Sequence, residues 1–411
     1  MNKEYHLNKS KTFCILPWIH LHTTPVGIAA PCCISGAIYN KVGVGDSTKQ
    51  PLMELVNSEK MKKLRLDMIN EVNTSDCSKC YDQDNQYANV KSFRVDSNSV
   101  YADYYDESLS NTLDDGSLTD FKMRYFDIRF SNICNFKCRS CGADYSTQWE
   151  QENLKSKLPY ARIILKNDNP KFLQEVVEQI PNMELAYFAG GEPLITEEHY
   201  ILLEEMIKQN RTDIKLRYNT NLSNLKFKDK DLLGLWKNFD NKIDIYASID
   251  HYGERAEYIR HGTNWTTVEE NFTQVKKTPY VHLTMNTVLS MFNVLTIHEF
   301  YQYLIDKQLY TPNDQTYTLY NMTDPLHISP HMLPEKYKLK GKESLQQYIN
   351  ILIKNNFKPW QQLQPKESID WLFSKNIWEE QKDYFRSEIA RLDKLRGEDF
   401  GKTFPELAGL L

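Results

Sequence analysis

The sequence predicts an α/β fold in which helices cover a largely parallel sheet, and two observations lead to this prediction. From residue 122 to residue 321, apolar segments typical of strands alternate with segments of helical periodicity. The polar motifs of this region come directly after strands, and parallel sheets carry their sites at the C-terminal ends of the strands. Both observations place the functional motifs at one end of the predicted sheet.

Six strands are predicted in this region, at residues 123–130, 184–188, 214–218, 242–249, 280–288 and 315–321. Helices are expected after the cysteine-rich loop that follows the first strand, and again at 171–180 and 196–208. Asn169 is the expected N-cap of the second of these helices, and Pro170 occupies its first helical position.

The first 115 residues are predicted to form a separate module. Segments 16–22 and 28–33 are expected to be the strands of a β-hairpin whose turn lies at residues 25–27. A helix is expected over residues 51–69, where apolar residues recur at helical spacing. The polar segment 82–117 is predicted to be a linker or an irregular crossing segment.

Length and composition are typical of a globular protein with several domains. The 411 residues are expected to form domains at 1–115, 116–330 and 331–411, the last of them a helical extension. The net charge of -5 gives no overall attraction to nucleic acid or to anionic membranes. No apolar run has transmembrane length, and residues 1–11 lack the apolar core of a signal peptide, so we expect a cytoplasmic protein.

The eight cysteines all lie in the first part of the chain, and none follows Cys141. Clustered cysteines in a reducing compartment more often bind metal than form disulfides. Three of them form the motif Cys134-x3-Cys138-x2-Cys141, directly after the first predicted strand. Three thiolates can hold three irons of a [4Fe–4S] cluster and leave the fourth iron open to an external ligand. Part of a zinc site, or buried unreactive thiols, are the alternatives.

This cysteine spacing resembles that of the radical SAM superfamily, and three later segments strengthen the resemblance. The segment 190–193, Gly-Gly-Glu-Pro, follows the second predicted strand. Ser248 and Asp250 end the fourth strand, with Arg260 twelve residues after the serine, and Val288 ends the fifth.

Two positions near these motifs depart from the family pattern. His251 stands where a glycine is usual, and Ser140 stands where an aromatic residue is usual. The first departure leaves the local turn undefined, and the second weakens a contact to adenine without affecting the cysteines.

The resemblance implies a partial (β/α)6 TIM-like barrel whose open iron binds S-adenosylmethionine (SAM) through its amino and carboxylate groups. Cys134, Cys138 and Cys141 would hold this catalytic cluster. The implied SAM ligands are Gly190, Gly191 and Glu192 near the methionine amine, Ser248 at the ribose, Arg260 at the carboxylate and Val288 beside the adenine.

The N-terminal module resembles the auxiliary-cluster domains called SPASM and twitch domains. It carries Cys14-x12-Gly27-x4-Cys32, followed by Cys77-x2-Cys80. The resemblance implies a second [4Fe–4S] cluster held by Cys14, Cys32, Cys77 and Cys80. Cys33 is left over, because neighbouring residues of a strand point to opposite faces. Four thiolates at this spacing also suit zinc, and the spacing alone leaves both metals open.

Placement of the auxiliary module before the barrel resembles a group of twitch-domain-containing radical SAM proteins. The resemblance implies reductive cleavage of SAM to a 5′-deoxyadenosyl radical, which abstracts hydrogen from an unknown substrate such as a peptide, carbohydrate or nucleotide derivative. An external donor such as flavodoxin or ferredoxin would supply electrons, and neither a membrane nor nucleic acid is an expected partner. The alternative is a non-catalytic iron–sulfur or zinc protein that acts as an electron carrier or a scaffold.

Overall fold

The computed structural model describes residues 3–39, 43–86, 91–156, 169–314 and 318–411, and it confirms the α/β class. These residues belong to two compact units. The first unit comprises Met1–Ile133, Arg162–Tyr218 and Lys230–Lys242, and the second comprises Cys134–Ala161, Asn219–Asp229 and Ile243–Leu411. The domain limits expected at residues 115 and 330 stay predictions.

The strands in the described part of the chain are short. They are β1 His20–Thr23, β2 Ile28–Ala30, β3 Gly45–Asp46, β4 Tyr125–Ile128, β5 Leu185–Phe188, β6 Lys215–Thr220, β7 Lys226–Phe227, β8 Lys230–Asp231, β9 Ile243–Ser248, β10 Val281–Leu289 and β11 Thr318–Asn321. All six strands expected between residues 122 and 321 are present as β4, β5, β6, β9, β10 and β11, with slightly shifted ends. The beginning of the sixth, at 315–317, lies outside the described residues.

The α-helices range from single turns to twenty residues. They are α1 Lys3–Asn8, α2 Leu16–Ile19, α3 Gly36–Tyr39, α4 Leu52–Val56, α5 Glu59–Ile69, α6 Ser78–Gln86, α7 Phe93–Val100, α8 Tyr105–Ser110, α9 Thr147–Lys155, α10 Pro170–Glu178, α11 Glu197–Lys208, α12 Leu232–Trp236, α13 Gly253–Ile259, α14 Trp265–Lys276, α15 Ile297–Asp306, α16 Glu335–Lys354, α17 Leu363–Phe373, α18 Trp378–Arg396 and α19 Phe400–Thr403. None of the described helices has both the length and the apolar composition that crossing a bilayer requires.

The sheet of the first unit joins the N-terminal hairpin to the strands of the α/β region. β1 pairs antiparallel with β2, which pairs antiparallel with β3. On its other side β1 pairs parallel with β4, and β4, β5 and β6 continue the parallel arrangement. The predicted hairpin is therefore confirmed, and it extends the parallel sheet beyond β4.

The two faces of this sheet differ in chemistry because side chains alternate along each strand. Phe126 and Phe188, whose rings lie 5.4 Å apart, share the apolar face, where Phe188 packs against His199 of α11 and Phe130 packs against Phe172 of α10. The opposite face is polar. From the registers of β1, β4, β5 and β6, it carries His20, His22, Tyr125, Asp127, Tyr187 and Arg217.

The second unit contains the strands β9, β10 and β11, which pair in parallel. Its C-terminal part is helical, as predicted, and packs on α15 through the stacked rings of Tyr301 and Tyr348, 3.9 Å apart. The parallel strands bring the ends of β9 and β10 side by side, with Ser248 opposite Asn286.

Three N-terminal expectations are wrong in detail. Residues Leu16–Ile19 form a helical turn, and the strand begins only at His20. The helix expected over 51–69 is broken at Asn57, because Ser58 starts a new helix by accepting a hydrogen bond from the Met61 N–H.

The segment 82–117 is not an irregular linker, since α7, α8 and part of α6 occupy most of its described residues. Ser92 caps α7 by accepting a hydrogen bond from the Val95 N–H. The segment has a polar composition, but some of its polar side chains, such as Arg94 and Asn98, are buried and hydrogen-bonded.

Candidate metal centres

Four of the eight cysteines face one cavity in the first unit. Cys14, Cys32, Cys77 and Cys80 are among the residues that line it. These are the four thiols expected to bind the auxiliary cluster. The neighbouring Cys33 is not part of the lining.

The hairpin turn brings Cys32 back to the cavity that contains Cys14. Gly27 has a φ of +86°, which residues with a side chain rarely adopt. A Cβ atom at this position would lie 2.7 Å from the Thr48 side chain. Conformation and space therefore both require the glycine that the sequence motif contains.

Cys77 and Cys80 reach the cavity from the beginning of α6. Thr74 accepts a hydrogen bond from the Asp76 N–H and starts a 3-10 turn over Ser75–Cys77, which runs into α6. Residues three apart lie on one face of a helix. The two cysteines of the C-x2-C pair are thus directed to the same side.

Cys14 and Cys80 are buried, Cys32 and Cys77 are half-buried, and the four thiols lie within electrostatic reach of one another. Burial raises the pKa of Cys14 and Cys32, and Cys77 contributes to the increase in both. Burial, followed by the neighbouring Cys80, raises the pKa of Cys77 to about 12. Thiolates at these positions need a cationic partner, and four thiols around one cavity fit a cluster in which each iron takes one thiolate.

Helix α7 holds the chain segment that carries Cys14. Arg94 donates hydrogen bonds to the carbonyl oxygen atoms of Ser10 and Phe13, at 3.1 and 2.9 Å, and pairs with Asp84 at 2.6 Å. One turn later, the Asn98 side chain accepts a hydrogen bond from the Ile15 N–H at 2.8 Å. Arg94 and Asn98 are four residues apart, which is the spacing of one helical face. This spacing was the sequence signal for the helix, and sequence reasoning missed it.

Arg65 of helix α5 binds the backbone of three other segments. Its guanidinium donates to the carbonyl oxygen atoms of Pro17, Gly116 and Val56 at 2.7–3.0 Å. The side chain is fully buried, and burial lowers the pKa of Arg65 to about 9. Arg65 thus holds the backbone at Pro17, directly before the hairpin, next to the backbone at Val56 and Gly116.

The strand expected over residues 28–33 ends at Ala30, so Cys32 and Cys33 lie in the turn that follows it, and only Cys32 lines the cavity. Burial, followed by the Asp127 carboxylate, raises the pKa of Cys33 to about 11, and Arg129 opposes the increase. Its neighbours therefore include the polar face of the sheet, which agrees with the choice of Cys32 as the cluster ligand. The choice itself stays a prediction.

The second group of cysteines lies on the loop 134–141 of the second unit. Main-chain hydrogen bonds from the N–H groups of Lys137 and Arg139 to the carbonyl oxygen atoms of His261 and Ile259 hold this loop, at 2.8 and 2.9 Å. Gly262 has a φ of +107°, and a Cβ atom there would lie 2.9 Å from the Asn135 carbonyl oxygen. The loop thus packs on the segment that follows α13.

Arg260, on that segment, contacts one of the cysteines. Its Nη1 atom lies 3.9 Å from the Sγ atom of Cys138, and its Nε atom lies 2.8 Å from Asp250 Oδ2. Burial lowers the pKa of Arg260, but Asp250 and Cys138 outweigh burial and raise it. Burial, followed by Cys138, raises the pKa of the Cys141 thiol to about 12, so these two thiols are also neighbours.

Asp250 links Arg260 to the end of the next strand. Its Oδ1 atom accepts a hydrogen bond of 2.8 Å from the Val288 N–H. Arg260, Val288 and Cys138 are therefore brought together around a carboxylate whose structural role sequence reasoning missed. Ser248 lies two residues before this carboxylate and is partly exposed.

His251 does not disturb the turn after β9. It is buried and makes a hydrogen bond of 3.1 Å through Nε2 to Thr296 Oγ1. The positive φ that favours glycine occurs two residues later, at Gly253, where φ is +57°.

The Gly-Gly-Glu motif belongs to the first unit. A Cβ atom on Gly191 would lie 2.2 Å from the Ile133 carbonyl oxygen, and the Glu192 N–H donates to the same oxygen at 2.8 Å. Gly190 has a φ of +131° and packs against the Arg129 side chain. The glycines therefore allow the chain's own backbone to approach closely, just before the cysteine loop. Their predicted contact with SAM stays a prediction.

In the described part of the chain, no three His, Cys, Asp or Glu side chains converge on a point where one metal ion would sit.

Residues 14–81 match the model of SPASM, an iron–sulfur cluster-binding domain. This segment is similar to SPASM domains, and the name SPASM domain is used for it below. The match confirms the predicted resemblance of the N-terminal module to SPASM domains, and it contains the four cysteines that line the cavity of the first unit. The SPASM domain covers less than half of the chain.

No curated protein matches the chain. Among solved structures, it is similar to "His6 tagged anSMEcpe with bound AdoMet", at 19% identity and a TM-score of 0.40, over 55% of this chain and 60% of that one. "Structure of TYW1 with a lysine-pyruvate adduct bound" matches at 14% identity and a TM-score of 0.27, over 54% of this chain and 70% of that one. Likenesses with TM-scores below 0.5 do not establish a shared fold, and the chain spans only about 60% of the first of these proteins.

Proposed function

We propose that the protein is a radical SAM enzyme with an auxiliary iron–sulfur cluster. The observation that carries the proposal is the position of Arg260, whose Nη1 atom lies 3.9 Å from the Sγ atom of Cys138. A guanidinium binds carboxylates through two parallel hydrogen bonds. A protein that only transports electrons has no need of a carboxylate-binding group beside an open-sided cluster.

Cys134, Cys138 and Cys141 are the proposed ligands of the first cluster. When bound, the cluster supplies one electron for the reductive cleavage of SAM, which yields methionine and a 5′-deoxyadenosyl radical that abstracts hydrogen from the substrate. The donor set fits such a group, since buried thiols lie beside a guanidinium that compensates thiolate charge.

Other residues of this centre orient the arginine and are proposed to contact SAM. Asp250 engages Arg260 through Nε and Cys138 contacts Nη1, and the proposed partner of the Nη atoms is the SAM carboxylate. Ser248 and Val288 are the proposed contacts to ribose and adenine. The predicted amine contacts remain Gly190, Gly191 and Glu192.

Cys14, Cys32, Cys77 and Cys80 are the proposed ligands of a second cluster in the SPASM domain. Four thiolates occupy every iron of a cubane, so this cluster is closed to SAM. Its proposed role is to relay an electron or to support the substrate.

The polar face of the first unit's sheet is the proposed substrate contact. Polar groups on a covered face are costly unless they pair or line a site. His22 and Asp127 pair with each other, and Arg129 lies 3.3 Å from Asp127, so this face offers both charges to a ligand. The proposed substrate is a peptide, a carbohydrate or a nucleotide derivative. The proposed electron donor is a flavodoxin or ferredoxin in the cytoplasm.

The test is SAM cleavage by anaerobically reconstituted protein. Two cubane clusters require about eight irons and about eight sulfides per chain. Dithionite and SAM should then yield 5′-deoxyadenosine, and Arg260→Met should abolish the product while iron content is retained. Arg260→Lys is the matched variant, because it keeps the charge but loses the bidentate geometry, and it should raise the KM for SAM.

The second candidate is a non-catalytic iron–sulfur protein, and the SPASM match supports it equally because the match covers only the cluster-binding domain. Protein with both clusters that forms no 5′-deoxyadenosine would favour this candidate. One zinc with about four irons would place zinc in the SPASM domain and leave the first cluster intact.

A further inference from the structure

The end of helix α18 brings two carboxylates together. Gly397 ends the helix in the left-handed conformation, at a φ of 67°. The chain turns back there, so that the Glu398 N–H donates to the Asp393 carbonyl oxygen at 3.0 Å. Asp393 Oδ2 accepts a hydrogen bond of 2.7 Å from the Phe400 N–H, which fixes this carboxylate in turn.

Both carboxylates bind Arg139, which stands between Cys138 and Ser140. The Nη2 atom of Arg139 lies 2.7 Å from Asp393 Oδ1 and 2.6 Å from Glu398 Oε2. Only 2% of the Arg139 side chain is exposed, so the ion pairs are shielded from solvent. The guanidinium also stacks on the Tyr258 ring, 3.7 Å from its centre.

The same carboxylates bind the segment that carries Arg260. Glu398 Oε1 lies 2.5 Å from His261 Nδ1, and Asp393 Oδ1 accepts a hydrogen bond of 2.7 Å from the Tyr258 hydroxyl. Two residues of the C-terminal helical part thus hold both sides of the proposed SAM site, the cysteine loop and the arginine segment.

The charges of these residues bear on the reduction potential of the proposed cluster. Asp393 and Glu398 place two carboxylates against the Arg139 guanidinium and the His261 imidazole, so replacing either carboxylate by its amide removes one negative charge from the surroundings of the cysteine loop. A negative charge near an iron–sulfur cluster disfavours its reduced form, and second-layer contacts of this kind tune cluster potentials.

We propose that Asp393 and Glu398 are positioning residues of the SAM site, which hold the cysteine loop in register with Arg260 and keep the potential of its cluster low. This inference rests on the proposed radical SAM function. It assigns to the C-terminal helical part a role in SAM binding that is separate from substrate recognition.

The test compares Glu398→Gln and Asp393→Asn with a matched control, Glu379→Gln. Glu379 pairs with Lys382 on the first turns of α18, far along the helix from the loop contacts. Loss of one charge-assisted hydrogen bond should raise the KM for SAM about tenfold. The potential of the SAM-binding cluster should shift to more positive values, and the control should match the wild type in both measurements.

The SPASM cluster provides an internal reference. Electron paramagnetic resonance during reductive titration follows both clusters in the same sample, and the auxiliary signal should keep its potential in every variant. Equal shifts of both clusters, or an unchanged KM and potential in Glu398→Gln, would overturn the inference.

Tyr258→Phe is the second, milder variant. It removes only the hydroxyl group that binds Asp393 and keeps the ring under Arg139, so it should raise the KM for SAM by a smaller factor. If the wild type binds two clusters but does not cleave SAM, the proposed function fails, while the shift in potential still tests the positioning of the loop.

Discussion

His22 Nδ1 lies 2.8 Å from Asp127 Oδ2 across the parallel pair β1–β4. The hydrogen bond joins the SPASM hairpin to the first strand of the α/β region, and both side chains are almost completely buried. Burial alone would raise the pKa of Asp127, but His22 and Arg129 outweigh it and lower the pKa. Asp127 is therefore an anion that the two modules share.

Replacing this carboxylate should weaken the junction. Asp127→Asn keeps the size of the side chain but leaves Arg129 facing an uncharged amide in a covered site. We expect a loss of about 3–5 kcal/mol in the free energy of unfolding, as for a broken buried ion pair. The thermal midpoint of anaerobic protein measures it. The matched variant Asp115→Asn alters an exposed ion pair with Lys62 and should leave the midpoint nearly unchanged.

Acid should destabilise the fold before the carboxylates titrate. Burial lowers the pKa of His20 from 6.5 to about 4, because its charged form is poorly solvated beside β4. Between these pH values the unfolded chain binds a proton that the folded chain does not, so stability falls as the pH falls from 6.5 to 4. The share of His20 is up to about 3 kcal/mol.

Thermal midpoints at pH 7, 5.5 and 4.5 test this dependence. His20→Gln should reduce the slope between pH 7 and 4.5, while the buried His199 and His251, whose pKa values are also lowered by burial, keep part of it. An equal slope in wild type and variant would contradict the assignment.

Gly191→Ala should be severely destabilising. A Cβ atom would lie 2.2 Å from the Ile133 carbonyl oxygen, which is backbone and cannot move aside cheaply. We expect poor solubility and loss of the iron proposed to bind at the cysteine loop, which begins directly after Ile133. Gly142→Ala is the control, since nothing lies within 4 Å of the added atom, and it should retain its iron.

The neighbouring cysteines of the hairpin should differ in iron binding. Cys32 lines the cavity of the first unit, whereas Cys33 lies near Asp127 and Arg129. Cys33→Ala should therefore keep the full iron content, and Cys32→Ala should lose the auxiliary cluster. Iron and sulfide analysis of both variants tests this difference. Loss of iron in Cys33→Ala and full iron content in Cys32→Ala would make Cys33 the cluster ligand.

The two clusters should also separate by function. With Cys77 and Cys80 both changed to Ala, the SPASM cluster cannot form, but the loop 134–141 is unaltered. We expect slow 5′-deoxyadenosine formation with dithionite and no turnover of the natural substrate. Solubility and SAM binding are the controls, because small metal modules often need their metal to fold. A folded, SAM-binding variant that forms no 5′-deoxyadenosine would refute this division of labour.

Sequence reasoning located the strands because each one combines apolar alternation with a polar motif at its end. The resemblance to the radical SAM superfamily also placed Cys138 and Arg260 in one site. Sequence reasoning failed where a side chain's partner is far away in sequence. Arg139 contacts Asp393 and Glu398 across more than 250 residues, and no local periodicity reports such a pair.

The prediction that the polar segment 82–117 is a linker or an irregular crossing segment was wrong for a related reason. Arg94 and Asn98 are hydrophilic, and composition alone suggests that they face solvent. Their hydrogen bonds to the backbone near Phe13 make them interior residues and turn the segment into a helix. Hydrogen-bond partners, rather than hydrophilicity, decide where such residues lie.

The parallel pairing of β1 with β4 also bears on folding and aggregation. A partial barrel ends in a strand with unpaired N–H and C=O groups, which can recruit a strand from another chain. Here β1 occupies that border of β4, and the short strands β2 and β3 follow it. The N-terminal hairpin therefore covers the edge of β4, and a chain that lacked it would expose that edge to pairing with strands of other chains.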